Sequence, residues 1–219
     1  MANYDLYVIT QESVSLGRTH EEVAQAALAA GVKAVQLRDK KKNTRELLEL
    51  ARQLRELTRE HNALLFVNDR VDVALAAGAD GVHLGPEDLL VASARQLAGK
   101  RLLIGASVST VAEALAAEAA GADYLSVGPI FRTATKPDAG EPVGVGRLQE
   151  IESRVRLPVI GIGGITRSNV AAVIAAGADG VAVISAVADA EDMQEAAATL
   201  LGLVRKARRQ GLASTGKGN

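Results

Sequence analysis

Short apolar runs bounded by turn residues recur along the chain, and the stretches between them place apolar residues at helical spacing. The runs fall at Leu6–Thr10, Ala34–Leu37, Leu64–Asn68, 82–84, 102–107, Tyr124–Val127, Val159–Ile162 and 181–184. Each has the length and branched apolar character of a buried strand. Thr19, with Glu22 three residues on, predicts the start of a first helix in a capping box. Leu47, Leu50, Leu54 and Leu57 share one face of a second helix predicted over 44–61.

An Ala-Ala-Gly phrase sets the count of these units. It recurs with its glycine at Gly31, Gly78, Gly121 and Gly177, and each copy reads as a helix end, a left-handed turn and a strand start. The glycines stand 47, 43 and 56 residues apart, too far for one strand–helix unit and right for two. Four copies therefore imply eight units. The expectation is an α/β fold, a (βα)8 TIM barrel with an all-parallel closed sheet inside a ring of helices. An open doubly wound sheet would carry a Gly-rich dinucleotide turn after its first strand, and residues 10–17 have none. One barrel domain is expected over 1–204. Residues 205–219 read as a frayed helix end leading into a disordered tail, Ser214-Thr215-Gly216-Lys217-Gly218-Asn219.

Composition narrows the function. Lys+Arg 25 against Asp+Glu 26 leaves no global field for nucleic acid or an anionic membrane, so any polyanion site is local. Aromatic residues at 2% are too few for base-stacking platforms. With Cys 0 there is no disulfide, thiolate zinc site or cysteine nucleophile, which fits a cytoplasmic protein. No apolar run approaches the ~20 residues of a membrane span.

Aligning the repeat copies puts Gln36, His83, Ser126 and Ala182 at equivalent inward positions on alternate strands, with apolar neighbours facing the helices. Three of those four are polar. They form either a hydrogen-bonded core layer or the floor of a site.

Reacting groups in this fold sit at strand C-terminal ends. After the second strand, alternation places Gln36, Arg38 and Lys40 on one side, two cations suited to phosphate oxygens. The third and fourth strands end in Asn68-Asp69 and Gly85-Pro86-Glu87-Asp88. Asp69 and Asp88 are Mg2+ ligand candidates, with helix capping as the alternative for each. Ser107 ends the fifth strand without a His/Asp partner spacing and reads as a hydrogen-bonding group. The longest loop follows the sixth strand and offers Thr133, Thr135 and Lys136. Gly161, Gly163 and Gly164 after the seventh strand, with Ile184 and Ser185 after the eighth, suit a phosphate cradle of backbone N–H groups. A charged, metal-assisted set beside an uncharged cradle implies two phosphorylated substrates, one of them a diphosphate that leaves.

In this ordered set the sequence closely resembles the thiamine-phosphate synthase family, from Leu6 to about Arg205. The matching segments are 36–40, Asn68-Asp69, 85–88, 105–107, 128–136, 161–165 and 184–186. The resemblance implies joining 4-amino-2-methyl-5-hydroxymethylpyrimidine diphosphate to a thiazole phosphate, with release of diphosphate and, for a carboxylated thiazole, CO2. By position, Gln36, Leu37, Arg38, Asp39, Lys40, Asn68, Ser107 and Lys136 would hold the pyrimidine diphosphate. Arg38, Lys40, Ser107 and Lys136 would be the catalytic subset. Asp69 and Asp88 would bind one Mg2+ per subunit, and Thr133, Ala134, Thr135, Gly164, Ile184 and Ser185 the thiazole phosphate. The implied partners are two small phosphorylated substrates, with a homo-oligomer open, and the implied mechanism is dissociative. One departure stands out: Pro86 occupies a place where the family usually has Gln. The rival readings are a thiazole tautomerase relative, a phosphosugar isomerase or epimerase, and a non-catalytic phosphate-ligand barrel.

Overall fold

The computed structural model describes residues 2–133, 135 and 140–215, with side chains to 211. Eight parallel strands close on themselves in chain order: β1 Leu6–Thr10, β2 Ala34–Leu37, β3 Leu64–Asn68, β4 Gly81–Leu84, β5 Leu103–Val108, β6 Tyr124–Val127, β7 Val159–Ile162 and β8 Gly180–Val183. The helices are α1 His20–Ala29, α2 Thr44–Glu60, α3 Val71–Ala77, α4 Val91–Ala98, α5 Val111–Ala119, α6 Gly144–Glu152, α7 Val170–Ala175, α8 Ser185–Ala188 and α9 Met193–Thr215. This is the expected (βα)8 barrel, with strand limits within one residue of the sequence reading.

Local chemistry sets the boundaries. Thr19 caps α1 and Asn43 caps α2, each in a complete capping box with Glu22 or Glu46. The repeat glycines Gly31, Gly78, Gly121 and Gly177 all have positive φ, which is why a glycine ends each copy. The aspartate after the last three does a second job. Asp80, Asp123 and Asp179 accept hydrogen bonds from Leu65 N, Ile104 N and Val159 N at 2.7–2.9 Å, tying each strand start to the preceding strand. Arg55 and Arg95 pair with Asp80 and Asp123. The first copy has Lys33 instead, and its ammonium reaches the His61 carbonyl.

The apolar residues split by face. Val35, Leu37, Val82 and Leu125 pack outward against the helices. Inside the barrel, Tyr4, Tyr7, Phe66 and Tyr124 meet with ring centroids 5.0–6.4 Å apart. The sequence holds Tyr 3 and Phe 2, so all but Phe131 plug the barrel floor. Two glycines make room. A Cβ at Gly81 would lie 2.4 Å from Phe66 Cε1, and one at Gly105 would lie 2.0 Å from Tyr124 Cζ.

The C-terminal helix runs further than the sequence suggested. Rather than fraying at Arg205, α9 continues to Thr215, and both Arg205 and Arg208 reach Asp5, 3.4 and 2.6 Å away. Asp5 stands just before β1, so this closing helix is pinned to the first strand. No described helix is long and apolar enough to cross a membrane.

Candidate active site

A cavity of about 730 Å³ opens over the C-terminal ends of the strands. The plug of rings forms its floor, and a line of buried polar groups crosses it. Gln36 Nε2 donates to Tyr7 Oη at 3.0 Å, and the Tyr7 and Tyr124 hydroxyls lie 3.1 Å apart. His83 Nδ1 is 3.0 Å from Tyr124 Oη, and its Nε2 is 2.9 Å from Ser107 Oγ. Burial pushes both phenols far up in pKa, so they stay protonated. The polar layer foreseen at Gln36, His83, Ser126 and Ala182 does face inward, and all four line the cavity. Gln36 and His83 are hydrogen-bonded within it, so it serves as core layer and site floor at once. Sequence reasoning passed over Tyr7 and Tyr124; two tyrosines at inward positions of β1 and β6 were the available signal.

On one side of the cavity the groups are charged. Arg38 is buried, and its Nη1 donates to Gln11 Oε1 at 2.5 Å. Its Nε has no partner among the described residues, leaving a buried donor for a ligand. Lys40 Nζ lies 2.8 Å from Asp69 Oδ2. Asp69 has φ 64°, a left-handed conformation costly for a non-glycine residue and typical of functional sites. Its N–H donates to the His83 carbonyl. Asp88 Oδ2 accepts from Gly85 N at 2.7 Å.

The carboxyls of Asp69 and Asp88 are within hydrogen-bonding reach of each other, and their acidities diverge. Burial and the neighbouring Asp69 push Asp88 up. Burial would raise Asp69 too, but hydrogen bonds from Asp88 and Lys40 bring it below the ordinary value. Two neighbouring carboxyls whose acidities are pushed apart are an arrangement that could hold a divalent cation. The capping alternative fails: the N-cap positions of α3 and α4 are Arg70 and Leu90, and neither aspartate caps them. Glu12, His20 and Asp39 also bring ligand atoms within 4.8 Å of one another. There Lys42 Nζ, 3.2 Å from Glu12 and 3.9 Å from Asp39, already supplies the cation.

The opposite side is built mainly of hydroxyls and glycines, with Asp189 also lining the cavity. Thr135 Oγ1 and Ser185 Oγ are 3.2 Å apart, joining the loop after β6 to the start of α8. Gly163 and Gly164 have positive φ, and a Cβ on Gly164 would lie 2.5 Å from the Arg132 carbonyl, so that loop folds directly onto the glycine turn. The helix after β8 is a single turn, Ser185–Ala188.

Of the residues foreseen for the site, Gln36, Arg38, Lys40, Asn68, Asp69, Asp88 and Ser107 line the cavity, as do Thr133, Thr135, Gly164, Ile184 and Ser185. The side chains of Leu37 and Asp39 do not. The alternation that turns Gln36, Arg38 and Lys40 inward sends Leu37 into the helix-facing core and Asp39 toward His20. Ala134 and Lys136 lie outside the described residues. Pro86 and Glu87 line the cavity beside Asp88.

A family model described as thiamine monophosphate synthase matches residues 6–187. The thiamine-phosphate synthase of Methanoculleus marisnigri is 52% identical over 95% of this chain and 99% of its own length. That of Moorella thermoacetica is 50% identical over 95% and 99%. Among solved structures, the thiamine phosphate pyrophosphorylase from Pyrococcus furiosus is 46% identical and covers 94% of this chain and 97% of that one, with a TM-score of 0.88. A 20% identical structure titled native KDPGal, TM-score 0.68, shares the fold alone. The chain belongs to the thiamine-phosphate synthase family.

Proposed function

We propose that the chain condenses 4-amino-2-methyl-5-hydroxymethylpyrimidine diphosphate with a thiazole phosphate, giving thiamine phosphate and diphosphate. One observation carries the reading: the cavity has a cationic and dicarboxylate side and, across from it, a side built mainly of glycines and hydroxyls. A single monophosphate would not need both. Arg38 and Lys40 bind the diphosphate and offset the charge that grows on it as it leaves. Asp69 and Asp88 would hold Mg2+, one per subunit, which when bound adds positive charge at the same place. Gln36 and Asn68 orient the pyrimidine ring. Ser107, aligned by His83, donates to the departing diphosphate, and Lys136 is assigned the same role by its place in the family pattern. The cradle of Thr133, Ala134, Thr135, Gly164, Ile184 and Ser185 holds the thiazole phosphate so that the ring nitrogen faces the reacting methylene carbon.

Loss of diphosphate precedes attack, because the electron-rich aminopyrimidine stabilises the methylene cation. The thiazole nitrogen then forms the new C–N bond, so no protein nucleophile is required. The aromatic plug seals the floor of the barrel against water from below. The enzyme is assigned to the cytoplasm, where a cysteine-free chain and phosphorylated substrates are at home. An isomerase reading needs a free acid/base pair on the substrate, whereas His83 is tied to Tyr124 and Ser107. The test is metal dependence. Turnover should vanish with EDTA, return with Mg2+, and in D69N stay reduced about 100-fold or more at any Mg2+ concentration; full activity in EDTA contradicts the metal assignment.

A further inference from the structure

Asp39 stands between the two cavity cations in sequence, yet its carboxylate faces away from them. Its Oδ1 accepts from Lys41 N and Lys42 N at 2.7 and 2.9 Å, closing the loop after β2 on itself as an Asx turn. Its Oδ2 is 3.2 Å from Nε2 of His20, the first residue of α1. The His20 side chain is fully buried. Its Nδ1 lies 2.7 Å from Thr10 Oγ1, and that hydroxyl is 3.2 Å from the Gln36 carbonyl. Arg38 N in turn donates to the Thr10 carbonyl at 3.1 Å.

Donor counting fixes the direction of this chain. An ionised Asp39 only accepts, so His20 Nε2 carries a hydrogen. Thr10 then donates either to Nδ1 of a neutral ring or to the Gln36 carbonyl beneath a cationic one. Nε2 donates to Asp39 in both states. The end of β1, the start of α1 and the loop bearing Arg38 and Lys40 are therefore joined through one imidazole. Glu12 and Lys42 are the other charged groups around it: Glu12 Oε1 is 4.0 Å from His20 Nε2, and Lys42 pairs with Glu12. Neither His20 nor Asp39 lines the cavity over the strand ends, although Asp39 borders a smaller hollow beside it with Arg38 and Lys40.

We propose that His20 and Asp39 are positioning residues for the diphosphate half of the site, holding Arg38 and Lys40 at the cavity wall without touching substrate. The proposal rests on the reading that those two cations bind the diphosphate. It replaces the role of direct ligand that family position implied for Asp39. Because the loop after β2 carries no thiazole ligand, the effect falls on one substrate only.

The experiment is steady-state kinetics with each substrate varied in turn, on H20A, H20Q, D39N and R38Q, with Tm measured alongside. In H20A the KM for the pyrimidine diphosphate should rise about tenfold or more while that for the thiazole phosphate stays within about twofold. H20Q, whose amide can donate from near the Nε2 position, should recover most of the loss. D39N keeps the turn-closing oxygen but sets an amide against Nε2–H, so it should show the same one-sided rise even if H20A fails to fold. A rise in both KM values, or in neither, for D39N overturns the proposal, as does an H20Q variant no better than a folded H20A. R38Q separates the two claims. If it raises the pyrimidine diphosphate KM while H20A and D39N do not, the positioning role is lost and the site reading stands. If R38Q leaves that KM unchanged, the site reading itself fails.

Discussion

Lys40 Nζ lies 2.8 Å from Asp69 Oδ2, a contact between the loop after β2 and the end of β3 that joins the cationic and dicarboxylate parts of the site. The pair is internal to the charged side, and each member balances the charge of the other. Charge, not packing, is what D69N removes. Asn tolerates the left-handed backbone at this position as Asp does. We expect kcat/KM to fall by a factor of about 100 or more, with Tm within about 2 °C of the parent. A fall in Tm of about 8 °C or more would assign Asp69 to the scaffold instead.

The aromatic plug makes a packing prediction. Gly105 has no side chain because Tyr124 fills the space one would occupy. Gly105→Ala should cost about 3 kcal/mol in chemical denaturation. In a Tyr124→Ala background the same change should be nearly neutral or stabilising, a coupling of over about 1 kcal/mol. Additive costs would show that the two positions do not compete for one space.

The phenol line makes a polar one. Tyr124→Phe keeps the ring but removes the hydroxyl that meets Tyr7 Oη and His83 Nδ1. It should lower stability by about 1–3 kcal/mol and weaken Ser107's alignment through His83, lowering kcat more than it raises either KM. Unchanged kcat with lowered stability would confine the line to a structural role.

At the far end of the barrel, the double change R205A/R208A leaves Asp5 without both its ion-pair partners. Both arginines are partly exposed, so the effect is modest. Tm should fall by about 2–4 °C with both KM values unchanged. A larger loss of activity than of stability would place the closing helix in the site's machinery.

Much of this was legible in the chain. The four Ala-Ala-Gly phrases gave the barrel because a left-handed helix end, a glycine and a strand start are local requirements repeated at every second unit. Gln36, Arg38 and Lys40 could be placed together because strand alternation is strict. The same alternation, extended one residue at a time, would have turned Asp39 outward; the match to a family segment had carried it into the ligand set. Tyr7, Tyr124 and Gln11 were missed because their partners are distant in sequence and come together only when β1 meets β6 or β2 across the closed sheet. The pairing of α9 with Asp5 was missed for the same reason. Some 200 residues separate Arg205 from Asp5, and basic residues near a terminus read as solvated until the first strand is seen beside them.

The central claim is that one cavity brings a diphosphate and a monophosphate substrate together and joins them. Its most direct test is incubation of the purified protein with the pyrimidine diphosphate, the thiazole phosphate and Mg2+, following both products. Thiamine phosphate and diphosphate should appear in equal amounts, and neither should form when either substrate is left out. No thiamine phosphate with both substrates and Mg2+ present would contradict the account.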